Sequence, residues 1–342
     1  MGSLVFLFPL LIWLRYSERI ASNGGLYAFV EAAAGAPVAR VQAIFWIISY
    51  FLYLVYTVPF IVYDLLPVVV PQVSRYQLLL DAGLAVTVAG VMLSPKIVAF
   101  SVMALLAVVQ LLLAVALAGA SLGQFGVPLG SFVGHGDLGT VLLGAGKTSS
   151  LYICASLPLF VAGEVRGGPS AVRRTLGWAF AGVATLSIIA VFPLARAGAS
   201  VIGGDLPGVP VAQASLGRIG AVLIGVGVAT SVAGLIVAEF IALSRLLGTM
   251  FLRPSRMMVS IISAVFLAAS LIGLVNPSAM YRLLLKPSLI ALWISQLIVV
   301  AVYPWFVRRY RTVLPSDVAL AGAASALMVF ALVIAATSSS GT

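Results

Sequence analysis

The sequence predicts an all-α, polytopic membrane protein, and its composition, the length of its apolar runs and the placement of its basic residues lead to that prediction. Of 342 residues, 62% are hydrophobic and only 8% are charged, whereas roughly 25% are charged in an average soluble domain. The mean hydropathy is +1.19. So few charges cannot cover a water-facing surface of ordinary size, which argues against a soluble globular protein.

Ten apolar runs are long enough for the hydrocarbon core of a bilayer, which a helix crosses with roughly 17 to 25 residues. The first run is marginal, because Arg15 and Glu18 lie in its last turn. Helix is the expected conformation, since lipid offers no water to unpaired backbone groups, and the short alternating segments of a β-barrel are absent. The runs fall near residues 2–19, 39–64, 76–93, 97–119, 140–163, 174–195, 217–247, 257–275, 284–306 and 316–337.

The basic residues are divided unequally between the two sides of the predicted membrane. With the end of the first run inside, thirteen face the cytoplasm and six the opposite side, in agreement with the positive-inside rule. Met1 and Thr342 then both lie outside. The net charge of +10 therefore indicates a bilayer and not a nucleic acid as partner. The single Cys154 and single His135 exclude an intramolecular disulfide and a thiol or imidazole metal cluster, and no cofactor is predicted.

Four stretches resemble amino acid permeases of the amino acid-polyamine-organocation (APC) superfamily. Residues 14–31, LRYSERIASNGGLYAFVE, resemble the junction after the second family helix, where Gly-Gly-x-Tyr opens the third. Residues 149–175, with Gly-Glu-Val, a Gly/Pro turn and a basic cluster, are similar to the sixth helix and the start of the seventh. Residues 207–250 are similar to the outer loop and the eighth helix, which ends in a Ser-Arg pair. Residues 97–120 fit the fifth helix.

The resemblance implies a transporter fold of two inverted five-helix repeats. Residues 1–120 would be an incomplete first repeat with family helices 2 to 5, and residues 121–138 an outer loop. Residues 139–308 would hold the second repeat, family helices 6 to 10, and residues 309–342 one additional transmembrane helix. The first family helix and the last are then lacking from this sequence, and we expect a translation start upstream of Met1.

In such carriers a broken helix opens each repeat, and its half-helix ends face the substrate near the membrane midplane. The candidate break is Cys154-Ala155-Ser156-Leu157-Pro158. Pro158 cannot donate to the backbone ladder, and the Ser156 hydroxyl can compensate for a lost hydrogen bond. Relatives carry a Gly-Phe-Glu-like run where this chain has Cys154 to Ser156. The alternative is a proline-kinked membrane helix without a ligand.

The resemblance also implies sites outside the break. Tyr53 on the third family helix and Trp293 on the tenth would contact the substrate. Gln110 stands where proton-coupled members carry a lysine, and Thr230 and Ser231 resemble the hydroxyl pair of a sodium site. Coupling to Na⁺, coupling to H⁺ and no coupling all remain open. The alternative role of Gln110 is to form an interhelical hydrogen bond.

Glu239 is the acidic side chain in the cytoplasmic half of the seventh run. It is predicted to carry a proton or, as the alternative, to form an ion pair with an arginine at the cytoplasmic end. A buried carboxylate in a membrane is costly unless it is paired or protonated.

Two further motifs indicate other functions. Gly144 to Thr148 ends like a phosphate-binding loop, but the required first glycine is Val141, so no nucleotide site is predicted. Asp64 in Tyr63-Asp64 and Asp137 in Gly134-His135-Gly136-Asp137 match the paired aspartates of intramembrane proteases. Asp64, however, precedes a proline and Asp137 lies in a glycine-rich loop.

The sequence thus predicts a multi-pass secondary transporter in the cell membrane, not an enzyme. It would move amino acids or related amines by alternating access. The alternatives are a non-transporting fragment or accessory membrane protein, followed by the aspartyl protease.

Overall fold

The structure is a computed structural model that describes residues 2–126, 138–191 and 208–337. About 90% of it is helical, and these ranges contain no strand. Seven helices among them are long and apolar enough to cross a membrane. The prediction of an all-α, polytopic membrane protein is therefore confirmed.

Thirteen α-helices are described in these ranges, together with shorter π-helical and 3-10 segments. In chain order α1 to α6 are Gly2–Ser17, Leu26–Ala34, Ala36–Pro59, Leu66–Val69, Gln77–Leu93 and Lys96–Phe125. A π-helical turn, Phe60–Leu65, joins α3 to α4, and a 3-10 turn, Pro71–Tyr76, joins α4 to α5. The helices α7 to α13 are Leu138–Ser149, Gly168–Val191, Gly208–Met250, Ser255–Gly273, Pro277–Ala301, Tyr303–Arg308 and Pro315–Thr337. Between α7 and α8 lies a long 3-10 segment, Ser150–Glu164.

The seven candidate spans coincide with seven of the ten predicted runs. The other three correspond to α1, to α7 with the long 3-10 segment, and to α8. At 16 residues, α1 is about 24 Å long, shorter than the roughly 30 Å hydrocarbon core. For these three runs a complete crossing stays a prediction.

The helix α9 is longer than its predicted run and contains a kink. Its backbone leaves the helical region at Gly217, where φ is +72°, a conformation that glycine adopts without steric cost. Residues before Gly217 therefore form a short separate helix, and those after it form the membrane span.

The most extensive pairing in the bundle joins α3 to α11. Gln42 Nε2 donates to Ser295 Oγ at 2.9 Å, and Ser288 Oγ donates to the Ser49 carbonyl at 2.9 Å. One step further, the Tyr56 and Tyr281 rings lie 5.6 Å apart. The contact positions advance by seven on α3 and recede by seven on α11, so the helices are antiparallel with the heptad spacing of a left-handed pair.

The second extensive pairing joins α6 to α9 in the same geometry. A Cβ placed on Gly227 would overlap Leu113 Cδ1, and one on Gly234 would lie 3.2 Å from Leu106 Cβ. These positions also step by seven in opposite directions. Glycine at both positions of α9 lets the helices approach closely, as small residues do in membrane bundles.

Ion pairs collect at one end of the bundle, which we call the basic end. Arg15 and Arg311 each form an ion pair with the buried Asp317 carboxylate at 2.8 Å. The Arg15 pair links α1 to α13. Glu18 pairs with Arg173 at 2.8 Å, linking α1 to α8. The hydrogen bond to Asp317 raises the pKa of the Arg311 guanidinium, so this arginine stays charged. These residues belong to the side that the sequence assigns to the cytoplasm.

Candidate functional site

The long 3-10 segment interrupts the helical path where a site is predicted. The α-helix ends at Ser149, and the fifteen residues Ser150–Glu164 continue in 3-10 geometry. Runs of this geometry longer than three or four residues are uncommon, and they often mark a hinge or a strained sequence. The interruption therefore begins four residues before the predicted break at Cys154 and extends beyond Pro158.

The residues of the predicted break lie on different sides of this segment. Ser156 is fully buried, and its Oγ donates to the Ile153 carbonyl at 2.9 Å. Leu157 is buried, Cys154 and Ala155 are half-buried, and Pro158 is exposed. The Ser156 hydroxyl thus supports the backbone of the segment, as expected, and the proline does not face the core.

An aromatic stack holds the long 3-10 segment against α3. The Trp46 ring lies 4.0 Å from the Tyr50 ring and 4.3 Å from the Phe160 ring, measured between centroids. Tyr50 is 3% exposed, and its hydroxyl lies beside Ser156 without an aligned hydrogen bond to a described residue. The stack therefore places this hydroxyl beside the interrupted helix.

Glu239 reaches the same region from α9. Glu239 is 1% exposed, and its Oε2 has no hydrogen-bond partner among the described residues. It lies within electrostatic range of Cys154 and of Tyr50, Tyr53 and Tyr56 on α3. A carboxylate, a hydroxyl without an aligned hydrogen bond and the 3-10 segment are thus neighbours in the interior.

Among the described residues no arginine forms the ion pair with Glu239 that is its alternative role. Arg245, one and a half turns further along α9, instead has its Nε 2.7 Å from Glu164 Oε1, although the N–H is not aligned for a hydrogen bond. Lys96 Nζ also approaches Glu164, at 3.6 Å. The cation that was nearest to Glu239 in sequence is therefore engaged by the end of the 3-10 segment.

The two other predicted substrate contacts differ in burial. Tyr53 is half-buried on α3 and meets Tyr56 edge to face at 5.2 Å. Trp293 is 2% exposed and belongs to the main core, together with Tyr50 and Phe160. Only Tyr53 is exposed enough to reach a bound molecule without rearrangement.

Three of the four predicted coupling residues, Gln110, Thr230 and Ser231, occupy one level of the α6–α9 pair. Since Gly227 faces Leu113 and Gly234 faces Leu106, the register puts Gln110 level with Thr230. Thr230 Oγ1 donates to the Gly227 carbonyl at 2.9 Å, and Ser231 beside it is half-buried. Gln110 is exposed and makes no hydrogen bond to another described residue, so the predicted interhelical bond is not formed here.

The structure describes some residues of the phosphate-loop-like motif and of the aspartate motifs. Gly144 to Thr148 lies within α7, where Thr148 Oγ1 donates to the Gly144 carbonyl at 2.6 Å. A helix there cannot wrap a phosphate as a loop does. Asp64 is exposed in the π-helical turn. His135 and Asp137 lie outside the described residues.

One contact of the site was not foreseen from the sequence. Gly25 has φ of +52°, and a Cβ on it would lie 2.5 Å from the Phe160 ring. A Cβ on Gly163 would lie 2.9 Å from Asn23 Oδ1 in the same turn. Next to it, burial raises the pKa of Tyr27, whose hydroxyl donates to Glu31 at 3.1 Å. The Asn-Gly-Gly turn after α1 therefore packs against the part of the 3-10 segment that ends at Glu164.

Comparisons with known proteins do not extend this description. No protein-family model matches the chain, and a search of curated proteins finds no significant match. The resemblance to APC permeases therefore rests on the residues already named.

Proposed function

We propose that this protein is a secondary transporter, which moves amino acids or related amines across the cell membrane by alternating access. The observation that carries the proposal is the long 3-10 segment, which faces the Tyr50 hydroxyl and the Glu239 carboxylate in the interior. In broken-helix carriers, unwound backbone and half-helix ends supply the substrate and ion ligands near the midplane.

The helix pairings support an inverted repeat. We assign α1, α3, α5 and α6 to the first repeat and α8, α9, α10 and α11 as their counterparts in the same order. The extensive α3–α11 pair then corresponds to the extensive α9–α6 pair. Both pairs are antiparallel with seven-residue steps. Two corresponding helix pairs of an inverted repeat should share their packing geometry in this way.

The other contacts agree with the correspondence in part. The pairs α1–α8, α5–α10 and α3–α9 map onto themselves and therefore do not test it, and the α5–α6 contact has no counterpart of comparable extent between α10 and α11. The α3–α10 contact maps onto the observed α9–α5 contact. The α6–α8 contact has no counterpart of comparable extent between α11 and α1. The contacts of α3 and α9 with the opposite repeat thus support the correspondence.

The chemistry of the interior suits a cationic or zwitterionic substrate. A buried carboxylate is unfavourable without a countercharge or a proton, so Glu239 would be stabilised by an ammonium group or by H⁺. The Tyr50 hydroxyl can donate to a carboxylate, and carbonyls in the 3-10 segment can accept from an ammonium group. Both polar ends of an amino acid would then find partners beside the break.

The basic end would act as the cytoplasmic gate. Glu164 at the end of the 3-10 segment is held by Arg245 from α9 and by Lys96 from α6. Opening toward the cytoplasm would have to separate these groups. The contact of Gly25 with Phe160 would move with the same segment.

Counterflow of labelled amino acids in liposomes tests the proposal. Ser156→Leu places a large side chain where a fully buried hydroxyl now supports the segment, and we expect uptake to be abolished. The matched control Ser170→Leu changes an exposed serine at the start of α8 and should transport normally. Absence of uptake by the wild type, or uptake by Ser156→Leu at equal expression, would contradict the proposal.

Coupling is tested by the pH profile of uptake. If Glu239 carries the proton, Glu239→Gln flattens the profile, while Gln110→Ala lowers only affinity or stability. Pro158→Ala, on the exposed side of the segment, measures how far uptake depends on the broken hydrogen-bond ladder. A steep pH dependence that survives Glu239→Gln and vanishes in Gln110→Ala would reverse the assignment.

One observation favours a second function, that of an accessory membrane protein. The most apolar part of α6 is only 6% buried within the described chain, so α6 offers a long surface to another transmembrane helix as well as to lipid. A wild-type protein that folds in liposomes but shows no counterflow would favour this function.

A further inference from the structure

A cavity at the basic end lies apart from the candidate substrate site. Its volume is about 380 Å³, and it opens between the turn joining α5 to α6 and the turn joining α9 to α10. None of the residues proposed to bind substrate lines it. The cavity therefore requires an explanation of its own.

The charged lining of the cavity is basic. Lys96, Arg245 and Arg256 contribute to its wall. The only carboxylate paired with them among the described residues is Glu164, 3.6 Å from Lys96 and 2.7 Å from Arg245. Three cations and one carboxylate leave two positive charges in excess. The Arg245 side chain is 5% exposed, and its Nε has no aligned hydrogen-bond acceptor.

Two helix N-termini reinforce this charge. The helices α6 and α10 begin at Lys96 and Ser255, both of which line the cavity. The preceding residues, Pro95 and Pro254, supply no side-chain cap. The first N–H groups of these helices carry partial positive charge and favour an anion.

The remaining wall is apolar. Met92, Phe100, Ile241 and Val259 line the cavity beside the cations. An inorganic anion would gain nothing from these side chains, whereas the glycerol and upper acyl carbons of a lipid would cover them. Basic pockets between transmembrane helices on the cytoplasmic side are suited to anionic headgroups.

We propose that this cavity binds the phosphate headgroup of an anionic phospholipid. The phosphate lies among Lys96, Arg256 and the two helix N-termini, and Arg245 approaches from the buried side. The first acyl carbons lie along Phe100 and Val259. The site does not depend on transport activity.

Fluorescence quenching in nanodiscs tests the site with the full chain. Phe100→Trp places a reporter in the wall, and the signal is its emission minus that of the five native tryptophans. Brominated phosphatidylglycerol should quench the reporter several-fold more than brominated phosphatidylcholine. Adding Lys96→Ala and Arg256→Ala should reduce the quenching to the phosphatidylcholine level.

The matched control removes two arginines at the same end of the bundle and away from the cavity. Arg308→Ala with Arg309→Ala, in the Phe100→Trp background, should retain the preference. Raising the salt concentration weakens exposed electrostatic contacts and should reduce the preference without any substitution in the wall. Equal quenching by the two lipids, or a control that loses the preference as fully as Lys96→Ala/Arg256→Ala, would overturn the proposal. Excess inorganic phosphate that abolishes the preference would assign the cavity to a free anion instead.

Discussion

The α3–α11 and α6–α9 pairs share one geometry but are held together by different means. Polar groups join α3 to α11 through Gln42 and Ser295 and through Ser288 and the Ser49 carbonyl. Between α6 and α9 the described residues form no side-chain hydrogen bond, and Gly227 and Gly234 accept leucine side chains instead. Dispersion and close approach thus replace polar contacts in the second pair.

The two pairs also differ in how much else supports them. The most apolar window of the span containing α11 is 61% buried, whereas that of α6 is 6% buried. The helix α6 therefore depends on a narrow stripe facing α9. A single residue in that stripe should matter more than a single hydrogen bond between α3 and α11.

The largest effect is expected from overfilling the α6–α9 contact. Gly227→Ile puts a branched side chain at a position where even a Cβ atom would overlap Leu113 Cδ1. Overpacking of this kind costs about 1–3 kcal/mol, measured as loss of thermal stability in detergent. Leu113→Ala should restore part of the loss, and Gly322→Ile, with no atom within 4 Å of its Cβ position, is the control. Equal effects at Gly227 and Gly322 would contradict the packing.

A smaller effect is expected from breaking the α3–α11 hydrogen bond. Gln42→Ala leaves the fully buried Ser295 hydroxyl without its donor. Interhelical hydrogen bonds in membranes contribute about 0.6 kcal/mol on average and up to about 1.7. A double-mutant cycle with Ser295→Ala isolates the pair, and Gln213→Ala at an exposed glutamine of α9 is the matched control. Strict additivity of the two substitutions would show that the bond contributes nothing.

The smallest effect is expected at the rim of the basic end. In the Glu18–Arg173 pair both side chains are substantially exposed, by 41% and 55%. Exposed pairs contribute about 0–1 kcal/mol and are weakened by salt. Glu18→Gln should therefore lower thermal stability less than Gln42→Ala, and added salt should remove the difference from wild type. A loss as large as that of Gly227→Ile would mean that this pair anchors α8 to α1.

Some features of the site could be predicted from the sequence because they are local. Pro158 and the glycine-rich turn after Glu164 indicate a disturbed helix, and the structure has a 3-10 segment there. Glu239 is recognisable as an acid within an apolar run. Where the interruption begins could not be predicted, since either helical geometry can be adopted by residues 150–153.

The sequence by itself determined the class of this protein. With 8% charged residues and long apolar runs, only a lipid-facing helical chain can satisfy its backbone groups. The hydropathy of a run and the charge bias of the loops are both sums over residues that are neighbours in sequence. Both can therefore be evaluated before the fold is known.

Only the tertiary structure decided the partners of individual residues. Arg245 pairs with Glu164 and leaves Glu239 without a cation, the Tyr50 hydroxyl lies beside the 3-10 segment, and Gly25 meets Phe160. These contacts join residues tens to more than a hundred positions apart. The register of packed helices selects them, because a one-residue shift turns a helical side chain by about 100°, and local hydropathy contains no record of that register.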